Sequence, residues 1–225
     1  MIRVQIEGTT FLEELGAEDR DALQSLARRR NFPVGASLMS EGQPGAEVMV
    51  ILSGRVKITF LEIDGQEIVL DFRGPGELLG ELAVIDGKPR SSRVEAIEPV
   101  EVLAVAATAF NGLVAERSGI ANALLRDLVG RFRNADRKRI EFGAAHTVGR
   151  VAARLIEMVE RFGTETTAGH VIDLPITQDE LAGWTGASRE AVAKALRSLR
   201  ELGLITTERR RITVLDLEEL GRLCR

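Results

Sequence analysis

The hydrophobic period of this chain changes near Ala107, and that change limits the folds open to it. From Phe32 to Val105 the apolar residues fall in short runs at 47–52, 55–61, 67–72, 93–97 and 100–105. Turn residues separate them: Glu41-Gly42-Gln43-Pro44-Gly45, Ser53-Gly54, Asp64-Gly65 and Gly74-Pro75-Gly76. Asp-Gly between two alternating runs is a strong hairpin signal, because both central turn positions favour positive φ. Short strands at near-regular spacing predict a small barrel or jelly roll. A helix over 11–30, with Leu12, Leu15, Leu23 and Leu26 on its apolar stripe and Arg28-Arg29-Arg30 at its end, precedes them.

Beyond Ala107 the spacing is helical. Ile120, Leu124, Leu128, Phe132 and Ala135 make one stripe on a long helix ending near Phe142, with Arg126, Arg133, Arg137 and Lys138 opposite. A long helix with a narrow apolar stripe buries it against another helix, and a second copy of the chain is the natural partner. Ala144 to Gly149 reads as a hinge, followed by a helix at 150–162 and a short strand region. The expected layout is a β domain over 1–118, a dimerisation helix over 119–143, a hinge over 144–149 and a helical domain over 150–225. The fold class is α+β.

Composition removes several function classes. One cysteine, Cys224, excludes a disulfide framework and a four-cysteine zinc or iron–sulfur site within one chain. His146 and His170 are too few for a multi-histidine metal centre. Neither a targeting segment nor a run long enough to span a bilayer is expected, so the protein is read as soluble and cytoplasmic. The net charge of −4 hides an asymmetry: 1–118 sums to −7, 119–149 to +3, and 150–225 to zero. Within the last part, Arg189, Lys194, Arg197, Arg200, Arg209, Arg210 and Arg211 form a basic patch, to which a polyanion responds whatever the global sum.

The motif beneath that patch is specific. Thr177 with Glu180 forms a capping box that starts one helix, just before Gln178. Gly186 occupies a tight turn, and Ser188 caps a second helix. Leu181, Ala182 and Trp184 then face Val192, Leu196 and Leu199, which is the sequence form of a helix-turn-helix. The cap places Arg189 and Glu190 at the exposed N-terminus of the reading helix, with Lys194 about a turn later. Arginine can donate two parallel N–H groups to guanine and glutamate can accept from cytosine, each pairing discriminating by about 1–3 kcal/mol. The run Thr206 to Val214 reads as a hairpin wing, with Arg209, Arg210 and Arg211 reaching phosphates.

A second motif lies in the β region, where residues 76–91 run from Gly76 to Ser91 through Gly80-Glu81-Leu82 and Arg90. A turn and a short helical piece beginning at Gly80 offer free N–H groups to an anion. Arg90 adds charge and a fork of donors, Ser91 a hydroxyl, and Glu81 an acceptor for a sugar hydroxyl. The plainer alternative is a surface turn carrying a solvated Glu–Arg pair.

Taken with the glycine turns, the long helix and the helix-turn-helix, these residues resemble the CRP/FNR family of bacterial transcription regulators, in particular its cyclic-AMP-receptor-like branch. The resemblance runs nearly end to end. It implies a β-roll of the cyclic-nucleotide-binding type, a long dimerisation helix and a C-terminal winged helix-turn-helix. By the same resemblance Gly80, Glu81, Leu82, Arg90 and Ser91 contact the phosphate and ribose of a cyclic nucleotide. Val56 and Leu70 wall the base and sugar, and Arg131 links the long helix to the phosphate site. Arg189, Glu190 and Lys194 match the base-reading trio of a two-fold, TGTGA-like operator, and RNA polymerase is an implied partner. The chain departs from the pattern at Ala135 and Asp136, where the cyclic-AMP receptor presents Thr-Ser to the adenine amino group. Asp136 can accept from adenine N6 or from guanine N1 and N2. The expected effector is therefore cAMP, with cGMP or effector-independent regulation as alternatives; no metal, haem or iron–sulfur cluster is expected.

Two rival classes remain in view. A cupin-like metal enzyme needs several His and carboxylate ligands inside the barrel, and the β region has no histidine. A nucleotide-sensing module whose C-terminal helices bind protein would lack the steep salt dependence of phosphate neutralisation.

Overall fold

The computed structural model describes residues 9–61, 67–174, 176–208 and 211–224, with the backbone alone at 141–144. These residues divide into two compact units at Arg133 and Asn134, inside one long helix. The predicted Asp64-Gly65 hairpin turn lies outside the described residues.

The first unit runs α1 (Phe11–Glu14), α2 (Ala17–Ser25), β1 (Arg28–Phe32), β2 (Ser37–Met39), β3 (Glu47–Ser53), β4 (Val56–Leu61), β5 (Glu67–Arg73) and β6 (Leu78–Leu79). It continues with α3 (Glu81–Asp86), β7 (Arg93–Ala96), β8 (Val100–Ala106), α4 (Ala107–Glu116) and the start of α5 (Ser118–Ala144). Two four-stranded antiparallel sheets result, ordered β1-β8-β3-β6 and β2-β7-β4-β5. Alternation sets the core. Met49 and Ile51 of β3, with Val102 and Ala104 of β8, join Met39, Val56, Val94 and Ala96 of the second sheet. The intervening Val48, Val50, Leu103 and Val105 point the other way and meet Phe11, Leu23, Phe110, Ile120 and Leu124 from the helices. Burial on both faces is why 47–52 reads as a continuous apolar run.

Two expectations need correction here. The single helix over 11–30 is two short helices and then a strand, because Arg28–Phe32 pairs with β8 from Ala104 to Val100. Leu26 is correspondingly exposed rather than on a buried stripe. The stripe expected on the long helix also divides. Ile120 and Leu124 close the first unit's own core, whereas Phe132 is 69% exposed. Leu125 and Val129 are exposed with it, forming a second apolar row on another face.

The second unit takes the end of α5 and then α6 (Thr147–Phe162), β9 (Gly163–Thr166), β10 (Gly169–Ile172), α7 (Gln178–Thr185), α8 (Arg189–Glu201), β11 (Ile205–Glu208), β12 (Arg211–Val214) and α9 (Leu217–Arg222). Only Ala145 and His146 separate α5 from α6, and His146 occupies the N-cap position of α6. The strands form one sheet, β11-β12-β10-β9. α6 is buried from Val151 to Val159 and packs on α7, α8 and α9. Among its buried residues is a carboxylate, Glu157, which is 1% exposed. Arg154 ion-pairs with it, Lys138 lies 3.2 Å away and Arg161 3.5 Å away. Lys138 and Arg154 also lie over the ring of buried Trp184, at 5.2 and 5.6 Å.

Candidate functional site

In the first unit, the backbone of Arg90 is clamped to the 41–45 turn: its N–H donates to Gln43 O at 2.8 Å, and its carbonyl accepts from Gly42 N at 2.9 Å. The side chain turns inward, 7% exposed, and donates from Nη1 to Gly80 O and from Nη2 to Glu47 O, each at 2.5 Å. Burial pulls the guanidinium below its ordinary pKa, with Glu47 and Glu81 opposing that shift. An arginine stays protonated all the same, and two of its five N–H donors are used, leaving three for an anion.

Gly80 is required by this contact. Its φ is +80°, and a Cβ there would fall 2.2 Å from Arg90 Nη1 and 2.8 Å from Met39 Sδ. It caps α3, a helix of six residues whose dipole is too short to bind an anion unaided, so the positive charge comes from Arg90. Glu81 is 2% exposed and its carboxylate takes an ion pair from Arg131 Nη1. Arg131 Nη2 donates to Leu78 O at 2.8 Å and lies 2.6 Å from Asp127 Oδ2. Burial raises the Asp127 carboxyl above its ordinary value; Arg131 and Arg73 oppose this, while Glu81 and Glu77 add to it.

Gly80, Glu81, Arg90 and Arg131 are thus brought into one connected cluster. Leu82 and Ser91 stand exposed at its border. Leu70 is exposed on β5 because a bulge between Ile58 and Thr59 leaves it unpaired and re-aims it. Val56 does not share that surface. It has no accessible area and packs in the inter-sheet core. Asp136 is exposed on α5 in the second unit. Three participants escaped sequence reasoning: Asp127 and the carbonyls of Glu47 and Leu78. Only Asp127 left a sequence signal, its i,i+4 spacing to Arg131.

In the second unit, Thr177 Oγ1 accepts from Glu180 N at 3.1 Å and the Thr177 backbone N–H donates to Glu180 Oε2 at 2.8 Å, closing the capping box that starts α7. Gln178 is exposed beside it. Gly186 ends α7 with φ +58°, and Ser188 caps α8 by accepting from Ala191 N at 3.2 Å. Val192, Ala195, Leu196 and Leu199 bury one face of α8, while Arg189, Glu190 and Lys194 are exposed at its N-terminal half. Arg189 lies 3.5 Å from Asp179, both largely exposed, a contact worth little and easily exchanged. Arg211 is exposed on β12; Arg209 and Arg210 lie outside the described residues.

Among the described residues no helix is long and apolar enough to cross a membrane, and no group of three or more His, Cys, Asp or Glu is placed to hold a metal ion. A β-roll with a buried arginine–glutamate cluster, together with a capped and exposed recognition helix, has the layout of one class, the DNA-binding transcription regulators, and the family matches place the chain there. Residues 29–117 match the cyclic nucleotide-binding domain, and residues 149–223 match the Crp-like helix-turn-helix domain. The chain is 35% identical over 195 residues to the CRP-like cAMP-activated global transcriptional regulator of Mycobacterium tuberculosis, covering 87% of each chain. It is 30% identical over 200 residues to the cyclic AMP receptor protein of Thermus thermophilus, covering 89% of each. The crystal structure of a CRP/FNR-family transcriptional regulator from Thermus thermophilus is similar with a TM-score of 0.73, 27% identity, and coverage of 88% of this chain and 98% of that one. This chain belongs to the CRP/FNR family of transcription regulators.

Proposed function

We propose that the protein is a homodimer whose affinity for a two-fold operator is set by a cyclic nucleotide, cAMP, bound at the Gly80–Arg90 cluster. The observation that carries this reading is the buried Arg90, which keeps three N–H donors beside a glycine that leaves room for them. In this reading the phosphate takes those donors and the Ser91 hydroxyl, Glu81 accepts the ribose 2′-hydroxyl, and Leu82 and Leu70 cover the sugar and base. Relatives in Mycobacterium tuberculosis and Thermus thermophilus whose names specify cAMP support that choice.

The dimer forms along α5. Leu125, Val129 and Phe132 are 59%, 48% and 69% exposed at i, i+4, i+7 spacing, the spacing that a coiled-coil seam uses. The two α8 helices then read successive major grooves about 34 Å apart, with Arg189, Glu190 and Lys194 on base edges and the 206–214 wing on phosphates. The complex acts in the cytoplasm on RNA polymerase. A ligand shifts the DNA-binding equilibrium only by its differential affinity for the two conformations.

One observation favours a second reading, effector-independent regulation. Arg90 is already held by two carbonyls and Glu81 by Arg131, so the cluster is satisfied in part without a ligand. Calorimetry of the full chain with cAMP and cGMP separates the two. The proposal expects cAMP to bind and to tighten operator affinity in a gel shift. A cyclic nucleotide that binds without changing operator affinity, or none that binds, overturns it.

A further inference from the structure

We infer that Asp127 is a positioning residue for nucleotide recognition, holding the Arg131 guanidinium in register so that Glu81 presents its carboxylate to the ribose. The inference rests on the effector reading above and adds to it a residue that no contact with the nucleotide would reveal.

Arg131 is a three-way clamp. Nη1 engages Glu81, and Nη2 reaches both Leu78 O at 2.8 Å and Asp127 Oδ2 at 2.6 Å. Nε is buried with no hydrogen-bond partner among the described residues, so the orientation of the plane depends on the terminal nitrogens alone. The Leu78 carbonyl fixes one direction. Asp127, one helical turn before Arg131 on the same helix, holds the same nitrogen by charge, its Oδ2 at 2.6 Å but outside hydrogen-bond geometry, and leaves Nη1 aimed at Glu81.

The side chains of Glu81 and Asp127 are only 3% and 12% exposed, so the two carboxylates share one guanidinium with little help from water. Sharing has a chemical consequence. An arginine bonded to Glu81 alone would neutralise it fully and weaken it as an acceptor. With Asp127 drawing on the same cation, Glu81 retains acceptor strength for a hydroxyl. Holding Asp127 ionised there is costly, since it also faces Glu77 and Glu81, against Arg131 and Arg73. A purely structural contact would be served as well by a neutral amide.

The test compares cAMP with 2′-deoxy-cAMP by calorimetry on the full-length protein, its Asp127→Asn variant and its Asp127→Glu variant. The unaltered protein should prefer cAMP about tenfold, the worth of one hydrogen bond to a charged group. Asp127→Asn should weaken cAMP about tenfold and leave 2′-deoxy-cAMP within about twofold, and Asp127→Glu should restore the preference. If the asparagine variant does not fold, Arg131→Lys carries the test. A lysine reaches Glu81 or Asp127 but not both, and the same selective loss is expected. Equal weakening of both nucleotides, or an undiminished preference in Asp127→Asn, overturns the inference while leaving the effector reading intact. An unaltered protein that binds neither nucleotide overturns both.

Discussion

At the scale of single residues, the cluster depends on where a Cβ is absent and where a charge is buried. Gly80 and Gly87 flank α3, both with positive φ, yet they differ in surroundings. At Gly87 nothing lies within 4 Å of the Cβ position, so alanine there meets only the backbone penalty, about 1 kcal/mol. At Gly80 the same methyl collides with Arg90 Nη1 and Met39. Gly80→Ala should therefore destabilise by about 1–3 kcal/mol more than Gly87→Ala in urea unfolding, and it should also lower nucleotide affinity. Equal losses would mean that Arg90 moves aside freely. Asp127 gives a pH signature. Its carboxyl is raised in the folded protein above 3.8, so the native state holds the proton more tightly than the unfolded chain does. Its contribution to stability is thus largest below 3.8 and declines as pH rises through the folded value. The stability difference between the unaltered protein and Asp127→Asn should shift against the unaltered protein across that range; a difference flat with pH would contradict the sign.

At the scale of elements, legibility followed sequence locality. The helix-turn-helix was readable because each of its signals acts within a few residues: Thr177 with Glu180, Gly186 at φ +58°, and Ser188 with Ala191. Replacing Ser188 by Ala should cost about 1 kcal/mol of stability, seen in thermal unfolding. The start of the chain was misread because Arg28–Phe32 becomes a strand only through pairing with Val100–Ala104, about seventy residues away. Val56 is a ligand wall only by family resemblance, and its place in the inter-sheet core follows from packing against β7 and the opposite sheet, which no local pattern encodes. The charged hub in α6 was equally invisible. Glu157 gathers Arg154, Lys138 and Arg161 from positions that look like an ordinary solvated helix face. Glu157→Ala leaves those cations without their common partner and should destabilise the second unit by about 3–5 kcal/mol. Trp184, the one tryptophan of the chain, lies against two of them and reports the loss through its fluorescence.

For the molecule as a whole, assembly turns on α5, whose first turns belong to the β-roll core and whose later turns carry an exposed apolar row. Ile120 and Leu124 are 0% and 4% exposed, so a charge placed at either would unfold the first unit and say nothing about assembly. Leu125 and Phe132 are 59% and 69% exposed, so Leu125→Asp with Phe132→Asp should leave that unit folded, with cyclic-nucleotide binding retained. Light scattering should then find a monomer, since two carboxylates facing their copies across an apolar seam repel where the native side chains would pack. DNA binding supplies the sharper reading. Each protomer neutralises its own set of phosphates, so the slope of log affinity against log salt scales with their number. The monomeric variant should bind the operator with about half the slope of the unaltered protein, and a single half-site should serve it as well as the full palindrome. A variant that stays dimeric, or one that keeps the full salt slope as a monomer, would place the assembly face elsewhere than on Leu125, Val129 and Phe132.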